Sequence, residues 1–420
     1  MPIAVVAIGG NSLVRAGERG TLEEQRRNLD LTCEGIAAVL AAGYQVVLTH
    51  GNGPQVGDAW LRSELAAAQV EPLPLDVCGA ETQGSIGYLL QQVLHDTLQR
   101  RGLARPVVTM VTQVLVSGRD PAFRRPTKPV GPFYSREEAE RRQATLGWQI
   151  VEDANRGWRR VVPSPAPKVI LELEAIQGAL SSGALVIACG GGGIPVIYRQ
   201  NRLAGIEAVI DKDRASSLLA WELEAELFLI STSVEQVSLG YATPRQRALD
   251  HVSLADARRY LAEGEFPPGS MGPKIEAAIG YLERGGRLVI ITSPERIPEA
   301  LHGMPAPASP PTPKRPAAAS TASPETRRLR RIPRQPPLRF PAPRKVVRGQ
   351  WLATSARDSA ARAVVFLDRT GSWARNGPAF LEENKRNVVG PGAVRGRARA
   401  LRRVAVAPKD RGNGRQGGAP

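Results

Sequence analysis

The chain has little cysteine. Cys33, Cys78 and Cys189 lie far apart in 420 residues and have no metal-ligand spacing. That leaves no disulfide framework and suits a reducing cytoplasm. The N-terminus enters the apolar stretch Ile3–Ile8 with no basic leader and no long apolar core, so no secretory signal is expected. No apolar run approaches the roughly 18 residues a membrane span needs. G-x-x-x-x-G-K-[ST] is missing, which excludes a P-loop nucleotide site, and no G-x-G-x-x-G follows a strand. The four histidines, His50, His95, His251 and His302, form no catalytic pair, and no Ser/His/Asp constellation is visible. His50 reads as structural. No dense Asp/Glu cluster offers a metal cage, so no protein metal ligand is expected.

Charge is plentiful but uneven. The formal net charge is +16, which suggests a nucleic-acid or membrane partner. Yet 25 of the 56 basic residues and only 6 of the 40 acidic ones lie from Pro305 to Pro420. The preceding part holds 31 basic and 34 acidic residues and is nearly neutral. Nucleic-acid binding is therefore not expected of the body. The last 116 residues contain 16 prolines and 21 arginines. Proline removes N–H donors and like charges oppose compaction, so 304–420 is expected to be a disordered tail. Short apolar pieces such as Ala363–Leu367 look too isolated to build a core. The tail also fits an out-of-frame or read-through stretch of a GC-rich gene. Its evolved alternative is a basic nucleic-acid arm that binds without sequence preference.

Before the tail, strands and helices alternate. Strands are expected at Ile3–Ile8, Gln45–Thr49, Val107–Val111, Leu185–Ala188, Leu227–Ile230 and Leu288–Thr292. Thr21 and Glu24 form a capping-box pattern, and Leu22, Leu29, Cys33, Ile36 and Leu40 then line one helical face as far as Gly43. Further helices are expected over Gly84–Arg101, Lys168–Ser182, Asp211–Glu224, Ser253–Ala262 and Ile275–Arg284. Such alternation predicts an α/β fold with a mainly parallel sheet covered on both faces. Gly118–Pro167, rich in Pro, Arg and Glu, breaks the rhythm and reads as a small inserted subdomain.

Three glycine turns follow strands: Gly9-Gly10-Asn11-Ser12, His50-Gly51-Asn52-Gly53-Pro54, and the run Gly190, Gly191, Gly192, Gly193. Each alone is ordinary turn chemistry. Together, at strand carboxyl ends, they can present backbone N–H groups and helix amino ends to one anion. Lys128, Lys212 and Lys274 stand in glycine- or proline-rich contexts. Phosphoryl transfer needs such cations and little covalent help from the protein. Either Asp211 or Asp213 can cap the helix that follows them.

The motifs AIGGNSL (7–13), THGNGPQVG (49–57), CGAETQGSIGY (78–88), DPAFRRPTKPVGPFY (120–134), RRVVPSPAP (159–167), CGGGGIPVI (189–197), GIEAVIDKDRAS (205–216) and GEFPPGSMGPKIEAAI (264–279) are together distinctive. On them the chain, from Met1 to about Gly303, resembles the carbamate kinases of the amino-acid kinase family. The resemblance implies a three-layer αβα sandwich over 1–303 with a protruding subdomain at 118–167. It implies reversible phosphoryl transfer between ATP and carbamate, giving ADP and carbamoyl phosphate, in a cytoplasmic homodimer. In arginine catabolism by the arginine deiminase pathway the reaction runs toward ATP.

Residue by residue, the resemblance places Gly10, Asn11, Gly51, Asn52 and Gly53 at the carbamate end. Lys128 would reach over the site from the subdomain. Lys212 and Lys274 would neutralise phosphates, Asp213 would orient them, and Gly190–Gly193 would belong to the phosphate cradle. Gly9, Ser231, Ser233, Tyr241, Met271, Gly272 and Lys274 would meet the nucleotide, with Mg2+ held between phosphates. The alternatives are a same-fold kinase for another small acid, biosynthetic carbamoyl phosphate formation, or nucleic-acid binding through the tail. Relatives of this kind end soon after about Leu301 in a short segment that adds to the sheet, whereas here the basic tail begins.

Overall fold

The first strand, β1 (Ile3–Ile8), is buried on both sides. Val5 and Ala7 enter one core and Ala4, Val6 and Ile8 the other. Strand side chains alternate between faces, so a strand apolar at every position needs cover on both. The computed structural model describes residues 1–302, apart from 16, 154–156 and 268, together with a strand at 365–368.

In chain order, β1 is followed by α1 (Leu22–Ala41), β2 (Gln45–His50), α2 (Gly53–Leu65), α3 (Leu75–Arg100), β3 (Val107–Thr109) and β4 (Gln113–Leu115). The inserted part holds β5 (Lys128–Tyr134), α4 (Arg136–Leu146), β6 (Ile150–Glu152) and β7 (Trp158–Val162). Then come β8 (Val169–Ile170), α5 (Leu173–Ser181), β9 (Leu185–Ile187), β10 (Ile194–Arg199), β11 (Arg202–Gly205), α6 (Lys212–Glu222) and β12 (Leu227–Ser231). The last described stretch has β13 (Ser238–Leu239), β14 (Arg247–Ala248), β15 (His251–Ser253), α7 (Leu254–Ala262), α8 (Met271–Glu283), β16 (Leu288–Thr292), α9 (Ile297–His302) and β17 (Val365–Asp368).

Six parallel strands form the centre of the main sheet in the order β16-β12-β1-β2-β9-β3. Residues from α5, α6, α7 and α8 fill the core on one face, and residues from α1, α3 and α9 fill the core on the other. This is the expected three-layer α/β sandwich. Parallel order places every strand's carboxyl end on one edge, where the loops after β1, β2, β9, β12 and β16 meet. A second sheet runs β11-β10-β4-β8, and β13 pairs with β14. The insertion is an antiparallel sheet, β5-β7-β6, accompanied by α4.

The capping box at Thr21 and Glu24 forms as expected. Three expectations are corrected. Gly53–Leu65 is a helix, with Asn52 at its N-cap position, where only a loop was foreseen. α3 starts at Leu75 rather than Gly84, because Gly79 and Gly84 continue the helix instead of opening it. Lys168–Ser182 is not all helix, since Val169–Ile170 pairs with Val114 and Leu115.

One short piece of the tail is described. Val365–Asp368 lies in the main sheet, antiparallel to β16 and parallel to β15. A short segment too small to build a core can still extend an existing ladder, because backbone pairing needs only an edge. The disorder expected for the rest of 304–420 lies outside the described residues.

Candidate active site

The three glycine turns converge. A side chain at Gly51 would stand 3.1 Å from the backbone nitrogen of Gly10. One at Gly191 would strike the Asn52 amide at 2.3 Å, and one at Gly190 would strike His50 Nε2 at the same distance. The loop after β9 therefore packs under the loop after β2, which abuts the loop after β1. Gly191, Gly192 and Gly193 all have φ between +67° and +96°, a region that strongly favours glycine. A Cβ at Gly192 would also meet the carbonyl of Ile210 at 2.3 Å. So the four glycines, all buried, let β9 approach both the Asn52 loop and the segment leading into α6. Asn52 is itself fixed, with Nδ2 donating to Thr82 Oγ1 at 2.8 Å. Gly53 differs, since a Cβ there would meet nothing within 4 Å. Asn11 lies in the turn Gly10–Ser12 directly after β1.

The lysines gather at the head of α6. Asp213 is 4% exposed and receives two ammonium groups. Lys212 Nζ is 2.9 Å from one carboxylate oxygen and Lys274 Nζ 3.0 Å from the other. Asp211 is the helix cap. Its Oδ1 accepts from the backbone N–H groups of Asp213 and Arg214, and its Oδ2 accepts from Lys128 Nζ at 2.5 Å. Of the two aspartates that could have capped, Asp211 does so, and Asp213 is left to bridge the lysines.

These contacts set the protonation states. Burial alone would raise the Asp213 carboxyl, but the ammonium groups of Lys212 and Lys274 hold it far below the usual carboxylate range. Burial raises Asp211 as well, but Lys128 and the backbone N–H of Arg214 together leave it below its ordinary value. Burial lowers Lys212, with Asp213 opposing the change and Lys274 adding to it. Three cations face two carboxylates at the amino end of a helix, and the positive excess there favours an anion.

Beside this cluster lies a cleft of about 720 Å³. Of the residues expected at a nucleotide, Gly9, Ser233, Tyr241, Met271 and Lys274 line it, as does Gly10. Ser231 and Gly272 are buried and do not line it. Thr232 and Val234, beside the expected Ser233, line it too, and so do Arg15, Gln236 and Pro267, which were not foreseen. Gln236 and Arg15 come from loops with no local signature, and only the position after β12 marks Thr232. Lys274 belongs to both the cleft and the Asp213 cluster, so the two share a boundary.

His50, fully buried, donates through Nδ1 to the carbonyl of Gly51 at 3.1 Å. Burial pushes its pKa down to about 4, Lys212 adds to this, and the ring is neutral at pH 7. Among the described residues no group of three or more His, Cys, Asp or Glu could hold a metal ion. None of their helices is long and apolar enough to cross a membrane.

Residues 2–293 match the model of the amino acid kinase family. The chain is 48% identical to the carbamate kinase of Pyrococcus furiosus over 301 residues, which is 71% of this chain and 96% of that relative. It is 48% identical to the carbamate kinase of Thermococcus kodakarensis over 307 residues, covering 72% and 97%. Among solved structures, the carbamate kinase from Giardia lamblia bound to AMP-PNP aligns with a TM-score of 0.67 at 42% identity. That alignment covers 72% of this chain and 96% of that one.

Proposed function

This chain belongs to the amino acid kinase family, and from that premise we propose that it acts as a carbamate kinase, transferring a phosphoryl group reversibly between ATP and carbamate. The observation that carries the chemistry is the buried Asp213 carboxylate gripped by Lys212 and Lys274 at the border of the cleft. In the direction of ATP formation, an oxygen of the ADP β-phosphate attacks phosphorus. The P–O bond to carbamate breaks, and carbamate leaves as an anion. Lys212 and Lys274 stabilise charge on the moving group, and Lys128 adds a third cation from the inserted sheet. Carbamate is already an oxyanion, so no general base is required. That agrees with a neutral His50 held in a backbone contact.

Gly10, Asn11, Gly51, Asn52 and Gly53 would hold the carbamate end, where the loops after β1 and β2 touch. Gly9, Ser233, Tyr241, Met271 and Lys274 would meet ADP or ATP. The carboxylates of Asp211 and Asp213 are committed to lysines. Mg2+ would therefore arrive with the nucleotide, held by phosphate oxygens and water, and would neutralise phosphate charge. Assembly as a cytoplasmic homodimer, and service in arginine breakdown with net ATP formation, complete the proposal on the strength of the family resemblance.

The test is a coupled assay of ATP formation from carbamoyl phosphate and MgADP by the purified full chain. ATP formation is expected. Activity with acetyl phosphate but none with carbamoyl phosphate would assign the site to another small acid.

A further inference from the structure

Helix α2 runs from the anion loop to the inserted sheet. Its N-cap, Asn52, sits against Gly191, and Gly51 beside it touches Gly10. One turn further on, Gly57 meets β5 backbone to backbone. An ideal Cβ at Gly57 would lie 1.9 Å from Gly131 Cα and 2.1 Å from Gly131 N. No side-chain rotation relieves such an overlap, so any residue but glycine must move one backbone. Gly131 has φ +76°, and its carbonyl accepts from Arg159 Nε at 3.0 Å. The contact is thus fixed from the strand side as well.

Three residues before Gly131 on the same strand is Lys128, whose Nζ reaches Asp211. A small core of Val56, Trp60, Val130, Val162 and Val209 packs around this path. Val209 N–H donates to the carbonyl of Pro163, tying the end of β7 to the segment that leads into Asp211.

We propose that Gly57 is a positioning residue for phosphoryl transfer: its contact with Gly131 sets how far Lys128 reaches into the site. The proposal rests on the carbamate kinase activity above. Because α2 starts at the loop assigned to carbamate, the same helix registers that loop and the overhanging cation. Gly57 touches neither the cleft wall nor the Asp213 cluster. Its effect should therefore pass through Lys128 and spare nucleotide binding.

The experiment is a double-mutant cycle in the full chain with Gly57→Ala, Lys128→Ala and the pair, read as the rate of ATP formation. AMP-PNP affinity is measured in parallel by calorimetry. ATP formation by the wild-type chain comes first, and its failure would remove the carbamate kinase assignment rather than the pivot. Gly57→Ala should slow turnover by about 10²-fold, the size of effect a displacement near 1 Å produces. AMP-PNP affinity should stay within about twofold. Added to Lys128→Ala, the same substitution should cost less than about threefold further. Should Gly57→Ala fail to fold, Gly131→Ala replaces it. A Cβ there is no closer than 3.6 Å to Gly57 but must adopt the left-handed backbone. Fully multiplicative losses, a near-wild-type rate for the single variant, or loss of AMP-PNP binding alongside activity would each overturn the proposal.

Discussion

Lys128 on the inserted sheet and Asp211 at the head of α6 meet at 2.5 Å, although 83 residues separate them in sequence. Asp211 does two things at once. One carboxylate oxygen caps the helix that carries Lys212 and Asp213, and the other holds Lys128. The charge of the inserted sheet is thereby delivered to the positive end of a helix dipole, where a phosphoryl group would gain from both.

The two roles of Asp211 separate by substitution. Lys128→Ala leaves the cap intact, so the melting temperature should hold while turnover falls on the order of 10²-fold. Asp211→Ala should cost about 1 kcal/mol of stability through the lost cap, whereas Asn, itself a good cap, should restore most of it. Thermal melts beside the coupled assay check both. A drop in melting temperature for Lys128→Ala equal to that of Asp211→Ala would mean that the ion pair, not the cap, supports the helix.

Asp213 predicts a shift in pH dependence. Its carboxylate is what keeps the buried Lys212 ammonium protonated against desolvation and against Lys274. In Asp213→Asn the two ammonium groups face one another without it, and the Lys212 pKa falls further. Loss of that cation should move the alkaline limb of the rate profile to lower pH and cut the maximal rate by about 10²–10³-fold. Rates from pH 6 to 10 test this. An unmoved alkaline limb would show that Asp213 is not what sets the charge of Lys212.

His50 makes stability fall in mild acid. Its folded pKa is about 4, against about 6.5 when unfolded. Between those values the unfolded chain binds the extra proton, so stability rises with pH across this window. The contribution is fully present above pH 6.5 and is gone by pH 4. The shift corresponds to about 3 kcal/mol at most. Urea unfolding of wild type and His50→Asn at pH 4.5, 5.5, 6.5 and 7.5 should show a steeper decline for wild type. Parallel declines would mean that His50 is not buried neutral.

Much of this fold can be read in the chain because its local signals agree. Thr21, Glu24 and the Leu29–Cys33–Ile36 stripe all point to α1, and the doubly apolar strands demand two covering layers. α2 escapes such reading. Of its thirteen residues only Val56, Gly57 and Trp60 are buried, and it opens with Gly-Pro, the mark of a turn. The glycines of α3 mislead in the same way. Gly79 and Gly84 look like a helix start, yet each lies within the helix and a Cβ at either would meet nothing within 4 Å. In the site, glycine turns after strands mark the anion loops. The gathering of Lys212 and Lys274 on Asp213 came from family resemblance rather than spacing, and the contact of Lys128 with Asp211 is set by tertiary structure with no trace in the sequence. Arg15 and Gln236 reach the cleft from loops that carry no pattern.

The last prediction concerns β17. Its residues Val365–Asp368 pair with Ile291–Leu288 of β16 on one side and, through Phe366–Asp368, with His251–Ser253 of β15 on the other. Among the described residues β15 joins the main sheet only through this strand. Removing it exposes the β16 backbone and frees the segment that leads into α7. Each lost ladder hydrogen bond is worth about 0.5–1.5 kcal/mol net, so a loss of a few kcal/mol is expected. A chain ending at His302 should therefore melt well below one ending at Thr370, which keeps the strand. Lys212, Asp213 and Lys274 lie outside the deleted part, so both should form ATP at low temperature. Equal melting temperatures for the two truncations would show that Val365–Asp368 adds nothing to the sheet.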